Sequence, residues 1–234
     1  MRVLLAFLLC PFLVFSQKTS VIETTDITHF WEAFDNLPQA RTKWDSIHII
    51  QRDYIDRATP FFKKFLEKRD FTSEEYVNLI GRFPKFWTTI RPLTENIANR
   101  KPEIQNVLDS LAVKLPNFKR PDVCFAIGCI RTGGTTSRDL ILIGSEIAAS
   151  DASVDKTGMS AWHQSVIGNS GDIVAMIAHE AVHTQEHGIP VWEIFNLMKY
   201  KRLSLLNMCI MEGNADFVTQ ELLGLNINSP LRQY

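Results

Sequence analysis

Apolar and polar positions change rhythm twice along the chain. From about residue 24 to 118, apolar residues recur at helical spacing, and Phe30, Trp31, Phe34, Phe61, Phe62, Phe65 and Trp87 stand out among them. That spacing puts them on inward helix faces and predicts a packed core rather than an aromatic ligand cage. Prolines at 60, 84, 92, 102, 116 and 121 are expected to cut this region into short helices, since proline lacks the N–H that continues a helix. Two start signals fit this pattern. Asp26 precedes I-T-H-F-W-E-A-F, and Thr72-Ser73-Glu74-Glu75 forms a capping box before Y-V-N-L-I.

After Pro121 the pattern shortens. V-C-F-A-I-G-C-I and L-I-L-I-G-S-E-I predict two strands, and the turn-rich R-T-G-G-T-T-S-R-D between them predicts a hairpin with a long loop. Small polar residues from 148 to 170 predict another loop. Helical period returns in G-D-I-V-A-M-I-A-H-E-A-V-H-T-Q-E-H-G, with Asp172 as cap and Gly188 and Pro190 as stop. Helix is also expected over about 191–201 and from Leu203 to about Leu223, ending at Gly224. Helices, a small sheet at about 122–147, then more helices make an α+β, mostly helical fold.

The first residues depart from this. One Arg, then about a dozen apolar residues, then polar ones, is signal-peptide grammar. The run is shorter than the roughly 20 residues of a membrane span, and no later apolar run is longer. Residues 1–17 are therefore expected to be a cleaved leader and the protein to be exported: periplasmic, at the cell surface or secreted. The remainder divides into a helical region, 18–120, and a metal-binding region, 121–234, packed as one compact domain. A formal charge of −1 over 234 residues gives no basic excess and excludes an evident nucleic-acid binder. The cations from Lys63-Lys64 to Lys68-Arg69 alternate with Phe and Leu and read as a solvated helix face. Without the leader, Cys124, Cys129 and Cys209 remain. Cys124 and Cys129 face opposite sides of a regular strand, so a bridge would need a bend at Gly128. No C-x-x-C pair is present to make a zinc–thiolate site.

Chemistry concentrates in H-E-A-V-H, His179 to His183. Residues four apart on a helix share a face, so both imidazoles can reach one zinc ion. Glu180, the next residue round, can reach a water on that ion and act as general base. A catalytic zinc takes three protein ligands, and Glu212 in I-M-E-G-N-A-D-F is the third candidate, on a later helix. Asp216, four residues on, can accept the outer N–H of a ligating histidine. His187 lies a full turn beyond His183 and cannot join both others at one ion.

H179-E-A-V-H183 followed by E212-G-N-A-D216 resembles the gluzincin arrangement. More closely, the chain resembles the exported bacterial branch of a family of predicted zinc-dependent proteases known as DUF2268. The likeness extends to F-W-E-A-F, to C-F-A-I-G and I-L-I-G-S-E, and to M-E-G-N-A-D-F. It implies a zincin-like fold, a zinc cofactor, and a peptide or protein substrate. The chain ends at Tyr234, where relatives are expected to continue with more helix, which would leave the far wall of the cleft short.

Zincins pair extended substrate with a strand edging the cleft, and Leu140 to Ile147 is the candidate edge. Glu146 either lines the site or caps a nearby loop. Tyr200, His163 and His187 are candidates for the oxyanion partner. The expected function is a zinc-dependent metallopeptidase hydrolysing peptide bonds with a water activated by Glu180. The alternatives are a non-catalytic binding or assembly protein on a zincin-like scaffold, and a metal-dependent hydrolase of a non-peptide bond.

Overall fold

The computed structural model describes residues 18–169, 171–186 and 201–225. The expected leader, the helix over 191–200, and the candidates His187 and Tyr200 lie outside these residues. The fold is α+β.

Six helices come first: α1 (Thr25–Asn36), α2 (Lys43–Ile50), α3 (Pro60–Arg69), α4 (Ser73–Arg82), α5 (Pro84–Glu95) and α6 (Lys101–Lys114). A two-residue strand, β1 (Ile22–Glu23), precedes them. Proline and capping chemistry set most of the starts. Pro60, Pro84 and Pro102 occupy first turns, where their missing N–H has no helical partner to lose. Thr72 accepts from the Glu75 amide at 3.2 Å and caps α4, while the Glu75 carboxylate pairs with Arg131 instead of closing the expected capping box.

Two expectations here are corrected. Pro92 lies inside α5 rather than ending it. Ile90 and Thr94 are fully buried on either side of it, and that burial outweighs the one bond proline cannot make. Asp26 sits in the first turn of α1, where no side-chain cap forms, and is fully buried. Its carboxylate reaches α3 instead, accepting from the Thr59 amide at 2.9 Å and the Thr59 hydroxyl at 2.5 Å.

The aromatics build the core, as their spacing predicts. Phe30 is the hub: its ring centroid lies 4.9 Å from Trp31 and 5.3 Å from both Tyr54 and Trp87. Phe62, Phe65, Tyr76 and Phe86 complete the cluster, each 0–1% exposed.

The sheet has order β1-β2-β4-β3, with β2 at Asp122–Ala126, β3 at Gly134–Ser137 and β4 at Leu140–Gly144. The two runs expected to form a hairpin are instead parallel neighbours, with Val123 opposite Ile141 and Phe125 opposite Ile143. The antiparallel partner of β4 is β3, which lies in the stretch expected to be loop. The physical reason is burial. Every residue of β2 and β4 is buried, so these two strands take the interior. The half-buried G-T-T-S can then form the outer strand, joined to β4 by a two-residue turn with Arg138 at φ 55. The candidate cleft edge accordingly moves from Leu140–Ile147 to Gly134–Ser137. Cys124 and Cys129 are both buried and free, and Cys209 is exposed.

Beyond β4 come α7 (Ser145–Ala148), α8 (Ala161–Val166), α9 (Ile173–His183) and α10 (Lys201–Leu223). α8 interrupts the expected loop over 148–170. Asp172 caps α9, accepting from the Val174 amide at 2.6 Å. The helix ends at His183, before the expected stop at Gly188. α10 ends at Gly224, whose φ of +68 suits glycine. α9 packs on β3, β4 and α6, and α10 packs on α9 and α6. No described helix is long and apolar enough to cross a membrane.

Candidate metal centre

α9 is nearly all apolar, I-V-A-M-I-A before the motif, and it is buried from Ala175 to His179. Its setting fixes which way the two histidines point. His179 is 8% exposed, and one turn later His183 stands beside it, the rings edge to face at 4.7 Å between centroids. α10 supplies the carboxylates from across the groove.

Three atoms converge. His179 Nε2 lies 3.0 Å from His183 Nε2 and 3.1 Å from Glu212 Oε2, and His183 Nε2 lies 3.5 Å from the same oxygen. Atoms sharing a tetrahedral zinc at about 2.0–2.1 Å stand about 3.4 Å apart, so this triangle has the dimensions of one coordination shell.

The outer nitrogens strengthen the case. His179 Nδ1 lies 3.0 Å from Asp216 Oδ1, and His183 Nδ1 lies 2.8 Å from Glu186 Oε2. A carboxylate can only accept, so each Nδ1 carries the proton and donates it. Where the rings are neutral, both Nε2 atoms are acceptors that face each other and a carboxylate oxygen. Three acceptors at this distance repel unless a proton or a metal cation lies among them. Glu180, Glu186, Glu212 and Asp216 around two imidazoles also leave the cluster strongly negative. Burial alone would lower the His183 pKa; Glu186, Glu212 and Glu180 outweigh it and hold it above its ordinary value. The donor set, two nitrogens and a carboxylate oxygen, suits zinc. The Glu212 side chain is 62% exposed, so the cluster opens to solvent on the α10 side.

Glu180 lies on the neighbouring face of α9, against the start of β3. A Cβ placed on Gly134 would stand 2.5 Å from Glu180 Oε1, so only glycine lets the strand and this carboxyl lie so close. Burial pushes the Glu180 pKa up to about 7, with Glu212 adding to it and His183, Arg69 and Lys68 pulling down. No described residue donates a hydrogen bond to this carboxyl.

The structure thus brings together the sequence-predicted His179, His183 and Glu212, with Asp216 behind His179 and Glu180 alongside. Sequence reasoning missed Glu186 and Asn214. Asn214 Nδ2 donates to Glu186 Oε1 at 3.0 Å and so braces the carboxylate that holds His183. Glu186 lies three residues after His183, the spacing that could have revealed it. Gly134 was read as turn, and its role appears only once β3 is placed against α9. Glu146 is a loop cap, not a site residue: it is fully buried and accepts from the Gly128 and Ile130 amides at 2.9 and 2.7 Å. His163 is held by Ser160, at 2.7 Å, and packs against Phe83, away from His179, His183 and Glu212. A cavity of about 850 Å³ is lined by Val182, Glu186, Asn214 and the 115–119 segment, and by none of the three candidate ligands. Set beside family models, curated proteins and solved structures, the chain matches none of them.

Proposed function

We propose that the protein is a zinc-dependent metallopeptidase of zincin-like, gluzincin-type design, exported and acting on peptide or protein substrates. The observation that carries this reading is the convergence of three acceptor atoms, from two helices, at coordination distances. His179, His183 and Glu212 would hold the ion. Asp216 and Glu186 fix the tautomer and orientation of the two rings, and Asn214 steadies Glu186. Bound zinc supplies Lewis acidity, polarising a carbonyl and making a water more acidic.

The remaining chemistry belongs to the chain. Glu180 would take a proton from the attacking water and pass it to the leaving amine. A pKa near neutrality serves both transfers, because neither protonation state is then far from equilibrium. The nearness of Gly134 ties this base to the outer strand, so an extended peptide lying along β3 would present its backbone beside Glu180.

Metal analysis with a hydrolysis assay tests the proposal. Purified protein without the leader is expected to hold about one zinc per chain and to cleave casein or a peptide library. Glu180→Gln should keep the zinc and lose turnover. Equal inactivity with zinc bound to both contradicts the peptidase and favours a binding protein, and equal cleavage by both contradicts Glu180 as the base.

A further inference from the structure

The outer edge of β3 is flanked by two cations that no described carboxylate neutralises. The carbonyl of Gly133 points to β4, where it accepts from the Gly144 amide at 3.1 Å. By strand alternation the carbonyls of Gly134 and Thr136 point outward. Both are occupied from α3 and the adjoining loop. Lys68 Nζ donates to the Thr136 carbonyl at 2.6 Å. The Thr132 hydroxyl donates to the Gly134 carbonyl at 2.7 Å and accepts from Arg69 Nη2 at 3.3 Å.

Arg69 is under-satisfied. Its Nε is buried without a hydrogen-bond partner, an unfavourable state for part of a charged guanidinium. Several other arginines are ion-paired: Arg57 with Glu32, Arg91 with Asp35, Arg120 with Asp109, and the adjacent Arg131 with Glu75. Lys68 and Arg69 have no carboxylate partner among the described residues, and both reach β3 and its approach through the contacts to Thr136 and Thr132. The face that reads as ordinary solvated helix in the sequence therefore aims two charges at the proposed substrate strand.

Building on the peptidase reading, we infer that Arg69 and Lys68 bind a carboxylate of the peptide lying along β3, making the site selective for anionic substrates. The carboxylate is either an Asp or Glu side chain or the peptide's own C-terminus. Register limits where it can sit. Thr136, which holds Lys68, lies two residues from Gly134, which touches Glu180, a distance of about 7 Å along a strand. The anionic group therefore falls about two residues from the bond beside Glu180. Arg69 offers a planar guanidinium fork for a carboxylate, and Lys68 offers a mobile point charge. Binding would exchange Lys68's bond to the Thr136 carbonyl for an ionic one and free that carbonyl to pair with the peptide.

The test uses fluorescein-labelled octapeptides that carry Glu, Gln or Lys at one scanned position, each made as free acid and as amide. Binding is read by fluorescence anisotropy with zinc-loaded full-length Glu180→Gln, which holds peptide without cleaving it. At least tenfold tighter binding of a Glu peptide over its Gln counterpart, about two residues from the cleavage site, identifies a side-chain carboxylate. The same margin of free acid over amide identifies a terminal one. Adding Arg69→Gln should abolish the margin, Arg69→Lys should retain part of it, and Lys68→Gln should reduce it. Far-ultraviolet circular dichroism and zinc content check that each variant is folded. Equal affinity for Glu, Gln and Lys peptides and for acids and amides overturns the inference. So does a preference that survives Arg69→Gln combined with Lys68→Gln. Zinc-loaded wild type that cleaves peptides without charge preference defeats this inference alone. Absence of both zinc and cleavage defeats the peptidase reading beneath it.

Discussion

Two glutamates in this protein share a number and little else. Burial pushes both Glu146 and Glu180 up to a pKa of about 7. Glu146 lies just past the C-terminal ends of β2 and β4, where the Gly128 and Ile130 amides donate to it and pin a turn. That turn needs pinning: Cys129 and Ile130 stand consecutively at φ 56 and 53, a conformation that β-branched isoleucine rarely takes. Ile127, just before it, is tied at its carbonyl by both Tyr54 and Tyr76. Glu180, on the groove side, receives no hydrogen bond from any described residue and faces the histidines and the edge strand. A raised pKa in a buried carboxyl is thus a sign of desolvation, not of catalysis. What separates a structural carboxyl from a candidate base is whether its oxygens are already occupied.

The contrast can be broken by exchanging losses. Glu180→Gln is expected to lower kcat by roughly 10²–10⁴-fold, the worth of a general base, with the melting temperature unchanged or raised. Glu146→Gln should leave kcat within a few-fold. Steady-state kinetics and thermal melts on both variants decide it, and the reverse pattern would dissolve the distinction. Glu146→Ala should do the opposite of Glu180→Gln, because it leaves two buried amides without an acceptor. At about 1–3 kcal/mol for each orphaned group, denaturant unfolding should register a loss of about 2–6 kcal/mol.

The braces of the metal cluster give a smaller effect. Asp216→Ala and Glu186→Ala each remove the acceptor that fixes one imidazole and should weaken zinc binding by about 10–100-fold. Competition with a chromophoric chelator measures this. Unchanged affinity in both would mean that the rings are oriented by packing alone.

Acidity sharpens the comparison further. The Glu146 pKa is about 7 in the folded protein against an ordinary 4.5. Between those values the folded state holds the proton more tightly than the unfolded state does. Glu146 therefore contributes stability that is fully present below about pH 4.5 and is lost as pH rises through about 7. The slope for this one proton is at most about 1.4 kcal/mol per pH unit. Urea unfolding from pH 5 to 8 should show it in wild type and a shallower slope in Glu146→Gln. Parallel curves for the two proteins would show that Glu146 does not titrate in this range.

The sequence made the front of the molecule more legible than its sheet. His179, His183, Glu212 and Asp216 could be named because helical spacing is local: four residues make one turn, and a later acidic pair at the same spacing forms a facing partner. The aromatic core was legible for the same reason. The pairing of β2 with β4 was not, because a short apolar run carries no mark of which strand it will neighbour or in which direction. The outer strand G-T-T-S was hidden by its glycine and polar residues, which also suit a turn. Glu186 and Asn214 were missed because one lies past the end of α9 and the other is an amide on a distant helix. Gly134 could not be assigned from sequence, since its importance is the absence of a side chain opposite Glu180.

The central claim is that two helices bring His179, His183 and Glu212 around one ion, and zinc-edge anomalous diffraction from crystals of the zinc-loaded protein tests it most directly. One strong peak is expected, about 2.0–2.2 Å from His179 Nε2, His183 Nε2 and a Glu212 oxygen. A peak that leaves Glu212 outside bonding distance, or no peak between the two imidazoles, would contradict it.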